Sequence, residues 1–551
     1  MKEKIIIYQV LPRLFGNRVQ AQVFNGTKEK NGCGLMKDFT LAALRKIKSL
    51  GVTHIWYTGL LEHATQTDYS AHGIARDHSA MVKGRAGSPY AIKDYYDIDP
   101  DLATKPERRM AEFESLVDRT HKAGLRIVMD FVPNHVARQY GSDVKPEGVV
   151  DFGHSDNTGQ PFCAQNNFYY IPGQRLACDF DMTGIEPQPY CEMPAKATGN
   201  DCFSARPGRN DWYETVKLNY GVDYCGGGTK HFLPTPDTWL KMLDILFYWV
   251  DKGVDAFRCD MAEMVPVEFW DWAIKRVKEH KAGVVFIAEV YNPSLYREYI
   301  YRGHFDYLYD KVGLYDCLRG VVRMERSASD ITRQWQQVDD IRSHMLYFLE
   351  NHDEQRLASD FYAGDGQKGL PALAVAALMG GNPLMLYFGQ EFGERGMEHE
   401  GYSGIDGRTS IFDYCRVPGI QEWWAGGKCC SRHIAPHAQK IYNQYKKITR
   451  LAATEGVFTE GKFYDLMHAN LDNPRLDHNR VYAFMRADKS QTPTLSPQIY
   501  LIVCNFSDRE GEVGVTIPQH ALSFLGIPEA EYSARDLLSG KRYSLQMSAS
   551  E

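Results

Sequence analysis

The chain has 551 residues, 44% hydrophobic and 12% aromatic, enough for about three domains or one large barrel with additions. Its 63 basic and 70 acidic residues leave a net charge of −7 with no basic block, which excludes the electrostatic footprint of a nucleic-acid binder. No stretch approaches the length of a membrane span.

The chain opens with MKEKIIIYQVLPRLFGN, whose apolar run is short and continues into Pro12 and Arg13. A signal peptide needs a longer apolar region and a small-residue cleavage site, so this is read as a first strand over 4–10 and the protein is expected to be cytoplasmic. One pattern then recurs: an amphipathic helix ends at a glycine and an apolar strand follows at once. It appears with Leu41, Leu44 and Ile47 before Gly51, and with Phe113, Leu116 and Val117 before Gly124. It appears again with Trp239, Leu243, Leu246, Phe247 and Val250 before Gly253, and once more before Gly283. A period of 3.6, a glycine cap and a buried strand make one α/β unit. Further strands are expected at 304–309, 345–349 and 383–388. The total is eight, which predicts an α/β fold of the (β/α)8 TIM-barrel type. No glycine-rich G-x-G-x-x-G follows the first strand, which argues against a dinucleotide-binding fold.

The repeat is interrupted after the third strand. Residues 136–235 lack helical periodicity and are rich in Gly, Pro, Asn, Asp and Cys, which predicts an inserted functional loop or small domain. Five of the twelve cysteines (Cys163, Cys178, Cys191, Cys202 and Cys225) fall there without C-x-x-C pairing, so free thiols in a reducing compartment are expected. From about 456 to 551 short runs alternate with turn residues, which predicts an all-β domain. The barrel then comprises 1–135 and 236–455.

Active sites of such barrels lie at the C-terminal strand ends. Strand three ends at Asp130, Asn134 and His135, and strand four at Arg258 and Asp260. Strand five ends at Glu289, and strand seven at Glu350, Asn351, His352, Asp353 and Arg356. Arg258 and Asp260, two residues apart, share one strand face, where the guanidinium should keep the carboxylate ionised. A structural ion pair explains one R-x-D, and a helix N-terminal charge explains one Glu. Carboxylates at several strand ends are harder to explain so, because buried carboxylates are costly unless paired. Carboxylates with flanking Arg and His suit glycoside hydrolysis, and Arg258 beside Asp260 disfavours a cation there.

In order and wording the chain resembles glycoside hydrolase family 13, the α-amylase family, over essentially its whole length. DFVPNH, GVDAFRCD, FIAEV and ENHDEQR look like its four signature regions, GSPYAIKDYYDIDP like its β2–α2 segment, and PLMLYFGQEFGE like its eighth strand. VKLNYG is more weakly similar to its fifth region. The resemblance implies an inserted domain B at 136–235 and a C-terminal β-sandwich at 456–551. It implies Asp260 as nucleophile, Glu289 as general acid/base and Asp353 as transition-state stabiliser. Arg258, His135 and His352 would line subsite −1, with Tyr90 stacked on that sugar. It makes Asn134 a candidate calcium ligand, although Glu263 and Met264 stand where relatives often have Lys-His, so no cofactor is expected to be required. Ala91 replaces the Asp of strict α-glucosidases, and Arg356 is the residue left to grip a chain end. The substrate expected is an α-glucan or malto-oligosaccharide, with no nucleic-acid or membrane partner. Hydrolysis stands beside glycosyl transfer by a maltosyl or glucanotransferase or isomerase, and beside a non-catalytic carbohydrate-binding homologue.

Overall fold

The computed structural model describes residues 3–399, 402, 404–488, 498–527 and 530–547. Eight parallel strands run Ile6–Val10, His54–Tyr57, Arg126–Phe131, Ala256–Cys259, Val285–Ala288, Tyr307–Tyr309, Met345–Leu346 and Leu384–Tyr387. Each pairs with its sequence neighbour, and the first pairs with the last through Ile6 and Leu384. A parallel bridge between Tyr347 and Leu384 closes the ring. The expected barrel is therefore present, with ends trimmed by a few residues.

The helix–glycine–strand units are also as expected. Helices Leu41–Lys48, Arg109–Lys122, Asp237–Asp251 and Val267–His280 precede strands two to five. Gly51, Gly124, Gly253 and Gly283 reverse the chain with φ of 86°, 72°, 97° and 90°. These left-handed conformations are cheap only for glycine. At Gly253 an added Cβ would also meet Val117 Cγ1 at 2.9 Å.

Residues 136–235 contain no helix. Their order comes from three short antiparallel pairs: His135–Ala137 with Thr215–Lys217, Tyr170–Ile171 with Ala195–Lys196, and Val222–Asp223 with Thr229–Lys230. The five cysteines there are unpaired thiols. After the long helix Pro436–Thr454 the chain forms an antiparallel sheet of Lys462–Asp465, Val481–Ala487 and Ile499–Asn505, then a hairpin of Ala530–Arg535 and Arg542–Met547. Between sheet and hairpin lies a helix, Gln519–Leu525, which buries Ala521, Leu522 and Leu525. An i, i+1, i+4 apolar spacing is helical rather than alternating, so this segment is not purely β as its texture suggested. Among the described residues no helix is long and apolar enough to cross a membrane.

Candidate active site

The strand register assembles the site. Arg258 on the fourth strand stands beside Asp130 on the third and Ile287 on the fifth. Side chains of one barrel layer point inward together, so Arg258 enters a ring of Trp56, Tyr90 and Tyr309, 5.3, 5.4 and 5.6 Å from their centroids. Its Nε donates to the Tyr309 hydroxyl at 3.2 Å, and Nη1 donates to Asp260 Oδ1 at 2.7 Å and to Asp130 Oδ1 at 3.4 Å. Nη2 lies 2.8 Å from Glu289 Oε2, an ion pair whose N–H is not aligned for a hydrogen bond. One buried guanidinium thus joins three carboxylates.

The turn after Asp260 supplies a further donor. Met261 has φ 42° and ψ 43°, a left-handed conformation uncommon for a side-chain-bearing residue and of a kind found at functional sites. It aims the Met261 N–H at Glu289 Oε2, 2.8 Å away, while the Tyr291 hydroxyl donates to Oε1 at 2.6 Å. Across the mouth, the Gln9 amide donates to His352 Nδ1 at 2.7 Å, which leaves the ring proton on Nε2. Nε2 lies 2.6 Å from the Tyr90 hydroxyl and 3.1 Å from Asp353 Oδ2. Burial, then Arg258, holds His352 neutral. Asn351 Oδ1 accepts from the Asp353 and Glu354 backbone N–H groups, a turn that presents Asp353 at the mouth. His135 is buried next to Tyr90 and Trp212, and burial, then Lys217 and Lys83, lowers its ring to about 3.

Electrostatics differ from the expectation that Arg258 keeps Asp260 ionised. Burial raises Asp260 first, Arg258 opposes it, and the like charge of Glu289 raises it again, so its carboxyl stands well above the usual range. Asp130 reaches about 6 and Asp353 about 7, burial being the largest cause for each. Asp130, Asp260 and Asp353 are thus raised together, so a proton stays in the cluster near neutrality and belongs to it rather than to one residue. Asp353 lies deep among protein atoms, yet 41% of its side chain is open at the mouth, which screens part of the repulsion. A carboxyl raised in the folded state contributes full stability below its unfolded value, about 4, and loses it as pH rises to about 7. Asp353→Asn should therefore flatten the fall of Tm between pH 4 and 7 and melt above the wild type at pH 8. Parallel Tm–pH curves for the two proteins would refute this.

The structure brings Tyr90, His135, Arg258, Asp260, Glu289, His352 and Asp353 together. It does not bring Arg356. That guanidinium is fully buried, 3.9 Å from the Tyr387 ring centroid, and is bonded to Glu350 Oε1 at 2.9 Å, the Phe388 carbonyl at 2.8 Å and Thr409 Oγ1 at 2.8 Å. A charge this well paired stays under the floor rather than reaching a ligand, so Arg356 is a scaffold residue. Gln9, Trp56, Tyr291 and Tyr309 were not singled out from sequence. Gln9 and Trp56 lie on the first two strands, where the strand-end rule, applied to all eight strands, would have found them.

Asn134 also has a partner. Its Oδ1 accepts from Lys217 Nζ at 2.5 Å, and that ammonium lies 2.7 Å from Asp201 Oδ1 and 3.4 Å from the Met264 carbonyl. The oxygens that would face a calcium ion at Asn134 face a lysine, so the residues present do not fit the ion.

Comparison with known proteins is consistent with this geometry. The model of the alpha amylase catalytic domain matches residues 9–185 and 232–435, and its gap falls inside the excursion. Alpha-amylase 3 of Dictyoglomus thermophilum is 22% identical over 393 residues, 68% of this chain and 68% of that protein. An alpha-amylase of Streptomyces lividans is 24% identical over 518 residues, 87% of this chain but 52% of its own length. Among solved structures, an alpha-amylase from Geobacillus thermoleovorans complexed with acarbose superposes with a TM-score of 0.60 at 18% identity, covering 98% of this chain and 96% of that one.

Proposed function

The chain belongs to the α-amylase family, and from that premise we propose that it is a retaining, endo-acting hydrolase of α-1,4-glucosidic bonds in malto-oligosaccharides. The observation that carries this reading is the Arg258 bridge. One guanidinium touching both Asp260 and Glu289 suits the roughly 5–5.5 Å spacing of retaining glycosidases and is tight for the roughly 6.5–9.5 Å of inverting ones. In the first step, in the protonation state of the cluster that leaves Asp260 ionised and the proton on Glu289, Asp260 attacks the anomeric carbon, the bond to the leaving oxygen breaks, and Glu289 gives that oxygen its proton. In the second step Glu289 removes a proton from water, the water oxygen attacks the same carbon, and the bond to Asp260 breaks. Two inversions retain the α configuration. Asp353 and His352 face the sugar hydroxyls, Tyr90 stacks on the ring, and His135 closes the wall behind it. Incubation with maltoheptaose and chromatography of the products tests the reading: short α-configured products are expected, longer chains mean transfer, and no products mean a binding protein.

We read 136–235 and 456–551 as the inserted and C-terminal domains of this architecture. The free thiols of the excursion support a reducing compartment such as the cytoplasm, where the substrate is starch- or glycogen-derived. On our reading the chemistry needs no cofactor, and Lys217 supplies the cation at Asn134. Lys217→Ala leaves the Asn134 amide oxygen, the Asp201 carboxylate and the Met264 carbonyl without it. The expected cost is about 2–3 kcal/mol, read as a lower urea midpoint at unchanged slope. A variant as stable as the wild type, or a calcium response that Asn134→Ala abolishes, would sink this assignment.

A further inference from the structure

The two oxygens of Glu289 are held differently. Oε2 faces the Arg258 guanidinium at 2.8 Å and accepts from the Met261 N–H at 2.8 Å. Oε1 is left to the Tyr291 hydroxyl, which donates to it at 2.6 Å. Burial, then the Glu289 charge, pushes that hydroxyl well above its usual range, so it remains the donor. Tyr291 stands three residues past the end of the strand Val285–Ala288, where the barrel ladder no longer fixes the chain. Something else must hold its ring in place.

That support is Glu263, in the short 3-10 turn Ala262–Met264 after the fourth strand. Its Oε2 accepts the successive N–H groups of Tyr291 at 3.2 Å and Asn292 at 3.0 Å. The turn is itself anchored. The Ala262 N–H donates to the Glu289 carbonyl at 3.1 Å, and the Tyr299 hydroxyl donates to the Val265 carbonyl at 2.9 Å and lies 3.2 Å from that of Glu263. Glu263 and Tyr291 are both half-buried. The lysine that relatives often carry here has only donors and could not accept these N–H groups.

We propose that Glu263 is a positioning residue that acts through Tyr291, holding the Tyr291 hydroxyl on Glu289 Oε1 so that this oxygen carries the proton given to the leaving group. The inference rests on Glu289 being the acid/base of the proposed hydrolase. With Oε2 committed to Arg258 and Met261, Oε1 is the oxygen free to hold a proton. When that proton moves to the leaving oxygen, negative charge returns to the carboxylate, and a hydroxyl already aimed at Oε1 meets it without reorganisation. Losing one hydrogen bond to a charged group corresponds to about tenfold or more in rate. A structural tie between two loops would give no such dependence on the leaving group.

The test measures kcat/KM of the full chain on maltoheptaose and on p-nitrophenyl α-maltotrioside, whose leaving group needs little protonation. Tyr291→Phe and Glu263→Ala should each lose about tenfold on maltoheptaose, and the loss should shrink to less than about threefold on the nitrophenyl substrate. Glu263→Gln keeps an oxygen acceptor and should stay near the wild type. The double variant Glu263→Ala/Tyr291→Phe should be no worse than Tyr291→Phe alone, because both act through one hydroxyl. Wild-type rates in Glu263→Ala, equal losses on the two substrates, a Glu263→Gln as slow as Glu263→Ala, or additive losses in the double variant each overturn the inference. Any of these beside an inactive Glu289→Gln leaves the hydrolase reading standing, whereas an active Glu289→Gln removes that reading first.

Discussion

Glu289→Gln and Asp260→Asn should each lower kcat on maltoheptaose by at least about 10³-fold, roughly 4 kcal/mol of barrier, with folding intact. The two substitutions remove different steps. Without the Asp260 carboxylate no bond to the anomeric carbon forms. Without the Glu289 carboxyl the leaving oxygen departs unprotonated and water is not activated. Folding should survive because neither variant isolates Arg258: after Asp260→Asn it keeps Asp130 and Glu289, and after Glu289→Gln it keeps Asp130 and Asp260. Removing one charge from a crowd of carboxyls also relieves repulsion. A substrate with a good leaving group separates the roles, because it needs little protonation. Glu289→Gln should recover much of the first step on such a substrate, whereas Asp260→Asn should not. Either variant retaining more than a tenth of wild-type turnover on maltoheptaose would refute the assignment.

The second large effect concerns where the chain is cut. A p-nitrophenyl α-maltotrioside should be processed with kcat/KM about ten- to a hundredfold above the α-glucoside. An exo-acting pocket holds the terminal glucose with charged acceptors, each worth about 1.5–3 kcal/mol. Beside Tyr90 this protein has Ala91, packed with Ala64, Val82 and Ala137 in a small apolar cluster that has no acceptor. Arg356, which the sequence offered to grip a chain end, is locked to Glu350, Phe388 and Thr409 beneath the floor. On the proposed reading, both observations favour a −1 site whose end is open to a further sugar. Equal or better activity on the monoglucoside would place the protein among exo-glucosidases instead.

The barrel and most of the site were legible in the sequence for a local reason. A helix of period 3.6, a left-handed glycine and an apolar strand are each specified by residues a few positions apart. Asp260, Glu289 and Asp353 stood out because a carboxylate ending an apolar run costs free energy unless used or paired. The helix Gln519–Leu525 was passed over because its short apolar run sits among turn residues that read as β texture.

What only the tertiary structure decided is partnership over long separations. Arg258 is two residues from Asp260, and that pair was visible, but its contact with Asp130 spans 128 positions and the contribution of Glu289 comes from another strand. Those added carboxylates, with burial, reverse the expected effect on Asp260. Lys217 reaches Asn134 across 83 positions and faces the oxygen that made Asn134 a candidate calcium ligand. Arg356 sits in the same short motif as Asp353, yet one points to the mouth and the other beneath it. Motif spacing sets which residues are near in the chain, whereas charge balance and desolvation depend on everything that packs around them, and that is fixed only when the barrel closes.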